Sequence, residues 1–243
     1  MSDIQIHNVA QGSPEWLRAR MGKPTASQFH RIMTPSGKSS SQAGAYMYEL
    51  VAELILGAPL EHDSMPWMDR GKSLEEEARR FYEFQRDIDI EMVGLVTAWG
   101  GTIGASPDGF AGADGLIEIK CPRPSTHVAY LYAMDSGVGS VDKDYMIQAQ
   151  GQMLVTGRQW VDILSYCPGI PEALIRVPRD EETQKALTLH LRDFVALLAK
   201  RVETATESGW IKPAAEKQED DLGWLGISDD DVTAMLAGKR GII

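Results

Sequence analysis

The sequence predicts one α/β domain: a mixed central sheet flanked by helices. Three observations predict it. At 243 residues the chain is long for one domain and short for two. Its apolar residues recur at helical spacing up to about residue 86, then change to the period of strands between 90 and 121. Helices, a strand meander, then helix and strand again is the order of a sheet covered by helices. A chain of this size buries roughly 70–75% of its unfolded surface, so a core forms without disulfides or a structural metal.

The elements follow in order. Pro14 enters a short helix that Gly22 closes. Thr25 is placed to cap a second short helix running through Met33. The run TPSGKSSS at 34–41 is a loop, either a plain linker or a DNA-contacting loop carrying Lys38. A helix from about Gln42 to Leu56 sets Tyr46, Leu50, Val51, Leu54 and Ile55 on one stripe, and Gly57 and Pro59 stop it. Another, from about Gly71 to Gln85, turns Leu74, Ala78, Phe81 and Tyr82 to a core. Strands are expected over 90–99, 102–105 and 115–121, helices over 125–135 and 143–156, and strands over 160–167 and 173–177. Asp180 caps a long helix through about Thr206. The main domain is thus expected over 1–210, with an acidic C-terminal extension over 211–243 that holds a short helix in DDDVTAMLAG.

Charge narrows the functional classes. The net charge of −11 argues against a simple nucleic-acid coat protein. The charge is uneven: residues 1–50 carry five Lys/Arg against three Asp/Glu, while residues 51–100 carry five against eleven. A local basic path can still meet DNA, and bound divalent cations would cancel several carboxylates. Cys121 and Cys167 are too few for a disulfide framework and read as buried structural thiols in a reducing cytosol. The start, MSDIQIHNVAQGSPEW, lacks a basic region followed by an apolar run, and no stretch approaches the ~20 apolar residues that span a bilayer. The expectation is a cytoplasmic protein without a membrane partner. None of the five histidines forms a pair at zinc-ligand spacing, and no Walker lysine pattern is present.

The residues that carry chemistry lie between 106 and 120. Ser106-Pro-Asp-Gly109 is followed by Glu118-Ile-Lys120. Side chains alternate along a strand, so Glu118 and Lys120 share one face while Ile119 points into the core. Asp108, read as the end of the preceding strand before a glycine turn, meets them at one sheet edge. Phosphodiester hydrolysis uses such groups. Carboxylate oxygens suit hard cations such as magnesium, and a lysine beside the ion can hold the attacking water or stabilise developing charge. The Ile119 carbonyl lies between two ligand-side residues and can face the same ion. Each piece alone is more often a common turn or a solvated charge pair; the combination is far more specific.

That combination resembles the PD-(D/E)xK nuclease motif, here Pro107-Asp108 and Glu118-Ile119-Lys120. Further matches resemble the phage lambda exonuclease group, the YqaJ-type viral recombinases: Trp16-Leu-Arg-Ala-Arg20 with Thr25-Ala-Ser27, Gly71-Lys-Ser-Leu-Glu75 with Ala78-Arg79, and Tyr145-Met-Ile-Gln148 with Gln150. In order, they cover about residues 11–165.

The resemblance implies a PD-(D/E)xK core. It implies a magnesium-dependent 5′→3′ exonuclease on double-stranded DNA ends that releases 5′-mononucleotides and leaves a 3′ single strand for recombination by strand annealing. Two magnesium ions would be held by Asp108, Glu118, Glu75 and the Ile119 carbonyl, with manganese able to substitute. Lys120 would be the catalytic lysine, and Gln148 would orient the site or contact DNA. Arg20 and Ser27 would hold a terminal 5′ phosphate, and Met68, beside Trp67, would wedge the strands apart. The group's ring-shaped homotrimer and single-strand annealing partner would come with it, in a bacterial host cytosol. From spacing alone, Glu75 can equally be a solvated helix charge, Gln148 a surface amide, and Met68 a packed core residue, while Arg20 reads better as an exposed helix arginine. Rival readings are a RecB-like nuclease, an endonuclease of the same fold and a non-catalytic DNA-binding module. A Cas4-like enzyme needs an iron–sulfur cysteine set that two cysteines cannot supply.

Overall fold

The computed structural model describes residues 3–60, 66–135 and 143–212, and their side chains apart from 66–72 and 135. In chain order the elements are β1 (Gln5–His7), α1 (Pro14–Arg20), a 3₁₀ segment (Ala26–Arg31), α2 (Ala43–Leu56), α3 (Pro66–Arg86), β2 (Ile90–Glu91), β3 (Leu95–Ala98), β4 (Ile103–Ala105), β5 (Gly109–Ala111), β6 (Gly115–Lys120), α4 (Pro124–Asp135), α5 (Lys143–Thr156), β7 (Trp160–Ser165), β8 (Ala173–Pro178) and α6 (Glu181–Glu207). The expected extension past 212 lies outside the described residues. Among the described residues no helix is long and apolar enough to cross a membrane.

The central sheet has the order β2-β5-β6-β7-β8 and is mixed: β6 and β7 are parallel and the other pairs antiparallel. The parallel step needs a crossover, and α4 and α5 supply it. A smaller antiparallel sheet, β1-β3-β4, stands apart from it. Alternation along β6 divides the core. Ile117 and Ile119 pack with Ala78 and Tyr82 of α3 on one face. Leu116 joins the larger core on the other, which takes in α2, α5, α6 and the 3₁₀ segment.

Local signals account for most boundaries. Gly57 ends α2 at φ +68°, a left-handed conformation that costs glycine little. The Asp180 side chain accepts from the Thr183 N–H at 2.7 Å and caps α6.

Four expectations need correction. The stretch 90–99 is not one strand: Ile90–Glu91 joins the central sheet and Leu95–Ala98 the small one. The N-terminal segment approaches the chain closely within this break: a Cβ at Gly94 would lie 2.0 Å from the Val9 carbonyl oxygen. Asp108 does not end the preceding strand; it leads into β5, while β4 belongs to the other sheet. The segment after Thr25 is a 3₁₀ helix, and the Thr25 side chain makes no capping bond. Cys167 is buried as expected, but Cys121 is partly exposed.

Candidate active site

The β5–β6 hairpin builds the site. Gly109 pairs with Ile117, so extending the register by one residue sets Asp108 opposite Glu118. The Asp108 Oδ2 accepts a 2.6 Å hydrogen bond from the Ile119 N–H, and the Asp108 N–H donates to the Ile117 carbonyl at 3.1 Å. Asp108 is therefore held at both ends by β6.

Glu118 is buried, 6% exposed, and its carboxylate faces α5. Its Oε1 accepts from the Lys120 Nζ and from the Gln148 Nε2, each at 2.6 Å. Its Oε2 accepts from the Gln152 Nε2 at 2.6 Å. Lys120 also lies over the Tyr145 ring, 4.7 Å from its centroid. Burial works against the Lys120 ammonium, but the charge and hydrogen bond of Glu118 and the charge of Asp108 outweigh it and hold the amine above its ordinary value. Burial, then the neighbouring Glu118 charge, pushes the Asp108 carboxyl well above the usual carboxylate range, with Glu75 adding to the rise. The Ile119 N–H and Lys120 oppose that rise without cancelling it.

In front of Asp108 lies a cavity of about 620 Å³. Asp108 and Ile119 line it from the sheet, Glu75 and Arg79 from α3, and Gln11 from the segment after β1. Gln11 is fixed there by donating to the Val93 and Pro107 carbonyls at 3.0 and 2.8 Å. Spacing left Glu75 as either a site residue or a solvated charge; it stands on the cavity wall with Asp108.

Among the described residues no three His, Cys, Asp or Glu side chains form a metal cage. Magnesium does not need one, since it keeps several waters and takes one or two carboxylates. The donors here are hard oxygens: Asp108, Glu118 and Glu75, with the Ile119 carbonyl near the first two in sequence. Burial first, and then the neighbouring Glu118 and Glu75 charges, oppose ionisation of Asp108, and a divalent cation would offset that cost. The residues fit a hard divalent ion.

Arg20 and Ser27 occupy a second cluster. The Arg20 guanidinium stacks 4.0 Å from the Trp16 ring centroid and donates to the Thr25 Oγ1 at 3.2 Å. The Thr25 and Ser27 hydroxyls are 3.4 Å apart. Arg20 is half-buried and not the exposed helix arginine that spacing favours. The Trp16 indole N–H donates to the Ser106 Oγ at 2.9 Å and the Gly94 carbonyl at 3.2 Å. This ties the Arg20 cluster to the segment that carries Asp108. Met68 falls within α3, but its side chain lies outside the described residues.

The sequence reading missed Gln152 and Gln11. Gln152 had a signal, because it follows Gln148 by four residues and so shares its helix face. Gln11 had none.

The model of the YqaJ-like viral recombinase domain matches residues 15–159. That span is more than half of the chain and reaches from α1 through α5. The chain belongs to the YqaJ-like viral recombinase family. It is similar to the alkaline exonuclease LHK-Exo from Laribacter hongkongensis, at 34% identity over 81% of this chain and 98% of that one, with a TM-score of 0.70. The structure of LHK-Exo in complex with dAMP matches with a TM-score of 0.71, at the same identity and coverage. A phage-related exonuclease from Haemophilus somnus 129PT shares the fold, at 16% identity over 75% of this chain and 96% of that one, with a TM-score of 0.57. Comparison with curated proteins gives no match. Every candidate site residue named above falls inside the matched YqaJ-like span except Gln11.

Proposed function

We propose that this chain is a magnesium-dependent 5′→3′ exonuclease that digests one strand of linear double-stranded DNA to 5′-mononucleotides. The observation that carries the reading is the hairpin that sets Asp108, on a cavity wall with Glu75, opposite a buried Glu118 that is bonded to Lys120. The 34% identity to an alkaline exonuclease supports it, and so does that protein's complex with dAMP, a deoxynucleoside monophosphate of the kind such a reaction releases.

Asp108, Glu118 and Glu75 would hold the ions with the Ile119 carbonyl. Bound magnesium supplies charge stabilisation at the phosphoryl oxygens and a more acidic water. The chain's residues do the rest. Lys120, kept protonated by Glu118 and Asp108, presents positive charge where a phosphoryl group would gain negative charge. Gln148 fixes one Glu118 oxygen. Arg20, with Thr25 and Ser27, offers a guanidinium and hydroxyls to a terminal 5′ phosphate. Each cut exposes a new 5′ phosphate for that cluster. Met68 would part the strands ahead of the site. In this reading the product duplex carries a 3′ single strand for a single-strand annealing protein in the bacterial cytosol. A homotrimeric ring would turn the acidic surface outward and leave a locally basic channel.

The test is a linear duplex labelled at one 5′ end, offered with a 5′ phosphate or a 5′ hydroxyl, with and without magnesium. The expected result is release of labelled mononucleotide from the phosphorylated end with magnesium alone, slower release from the hydroxyl end, and loss of most of that preference in Arg20→Ala. Release of oligonucleotides, or digestion in the absence of divalent ions, contradicts the reading.

A further inference from the structure

The two oxygens of Glu118 are held differently. Oε1 has two donors, Lys120 and Gln148, whereas Oε2 has the Gln152 amide, at 2.6 Å. Gln148 and Gln152 are one helical turn apart on α5, so one rigid face reaches both oxygens. Gln152 is 1% exposed, and among the described residues its own buried Oε1 has no hydrogen-bond partner. A buried, unpaired carbonyl is costly, and an apolar side chain of similar size would avoid it. The neighbouring glutamine in the same helix shows the contrast. Gln150 is equally enclosed, but its amide donates to the Pro178 carbonyl and its oxygen accepts from the Asp180 N–H and the Gln184 amide. Gln150 is thus satisfied at both ends and joins α5 to β8 and α6. Among the described residues, Gln152 is satisfied only where it touches Glu118.

We propose that Gln152 is a positioning residue that fixes the plane of the Glu118 carboxylate for divalent-cation binding. This rests on the reading of Glu118 as a metal ligand. With Oε1 tied to Lys120 and Gln148, rotation about the last side-chain bond is still possible until Oε2 is held as well. The Gln152 bond removes that freedom, so the lone pairs not used by α5 keep one direction. Losing it leaves Glu118 charged and buried but free to turn, which weakens cation binding without removing a ligand. Preorganised second contacts of this kind typically change metal affinity or activity by about 10–100-fold.

The experiment compares wild type, Gln152→Met, Gln152→Asn and Gln150→Met. Met keeps the bulk and removes the amide; Asn keeps the amide and withdraws it by one methylene. Magnesium binding is titrated calorimetrically on each protein without DNA, and turnover on linear duplex is followed against magnesium concentration. Melting temperatures are recorded in parallel. Both Gln152 variants should remain folded, bind magnesium about tenfold or more weakly, and need correspondingly more of it for half-maximal turnover. Gln150→Met should lower the melting temperature and leave the magnesium titration as in wild type. If wild type binds magnesium and cuts DNA while both Gln152 variants titrate as wild type does, the positioning role is wrong. It is equally overturned if the Gln152 variants lose stability as Gln150→Met does without a change in magnesium affinity. If wild type binds no magnesium, the reading of Glu118 as a ligand fails instead.

Discussion

Asp108 and Ile119 are joined across the β5–β6 hairpin by a 2.6 Å hydrogen bond from the Ile119 N–H to the Asp108 Oδ2. The bond uses a backbone donor of the strand that also carries Glu118 and Lys120, so it locks the carboxylate to the strand and not to a mobile side chain. Asp108 cannot turn away from Glu118 without giving it up. The backbone therefore fixes the Asp108 carboxyl group beside Glu118.

Conservative changes should separate charge from fold. Asp108→Asn keeps an oxygen for the Ile119 N–H, and Glu118→Gln keeps the side-chain volume; each removes one buried charge. Each should lower turnover on the order of 10²-fold or more, as should Lys120→Met. At a pH above the raised Asp108 value, Asp108→Asn should also raise the melting temperature of the metal-free protein, because it removes a charge that burial, and then the Glu118 charge, disfavour. Thermal unfolding in a chelator and duplex digestion in magnesium check the two halves. A lower melting temperature for Asp108→Asn would contradict the electrostatic account.

The raised Asp108 carboxyl sets a pH dependence. Its folded-state value lies above its unfolded one, so its contribution to metal-free stability is full below the ordinary carboxylate range and is lost as pH rises through the raised value. A cation that binds the ionised form must displace that proton, so its affinity grows over the same interval. The rise in melting temperature caused by a fixed magnesium concentration should increase from mildly acidic to mildly alkaline pH. A shift that is independent of pH would mean that Asp108 is not the group discharged.

Gly94 should tolerate no side chain. A Cβ there would lie 2.0 Å from the Val9 carbonyl oxygen and 2.7 Å from that of His7, both backbone atoms. Gly94→Ala must push the N-terminal segment away, at a cost of about 1–3 kcal/mol or more by analogy with overpacked cores. That segment holds Gln11 on the cavity wall, and the Gly94 carbonyl accepts from Trp16. Turnover should fall together with the melting temperature. An unchanged melting temperature would show that the close approach is not needed.

How much was legible follows from which interactions are local. Helix α5 was readable to the residue, and so was the switch to strands near 90, because period and breakers are written in the chain. The placement of Glu118 and Lys120 on one face of a strand was readable for the same reason, but their hairpin partner was not: the strand expected before Asp108 is β4, which lies in the other sheet. The break at 92–94 was not, and the Val9 segment that lies against Gly94 is more than eighty residues away in sequence. β5 is only three residues long and carries little pattern. Gln152 was missed because a buried amide on a helix reads as a surface residue; only its partner Glu118, reached through the fold, reveals why it is inside.

The most direct measurement follows the first products from a duplex that has one reactive end and an internal label. The chain and its Asp108→Asn variant are compared at equal concentration in magnesium. The account predicts 5′-mononucleotides released progressively from the 5′ end by the wild-type chain, a lengthening 3′ single strand, and loss of both in the variant. Internal cuts appearing before end products, or digestion that survives Asp108→Asn, would contradict it.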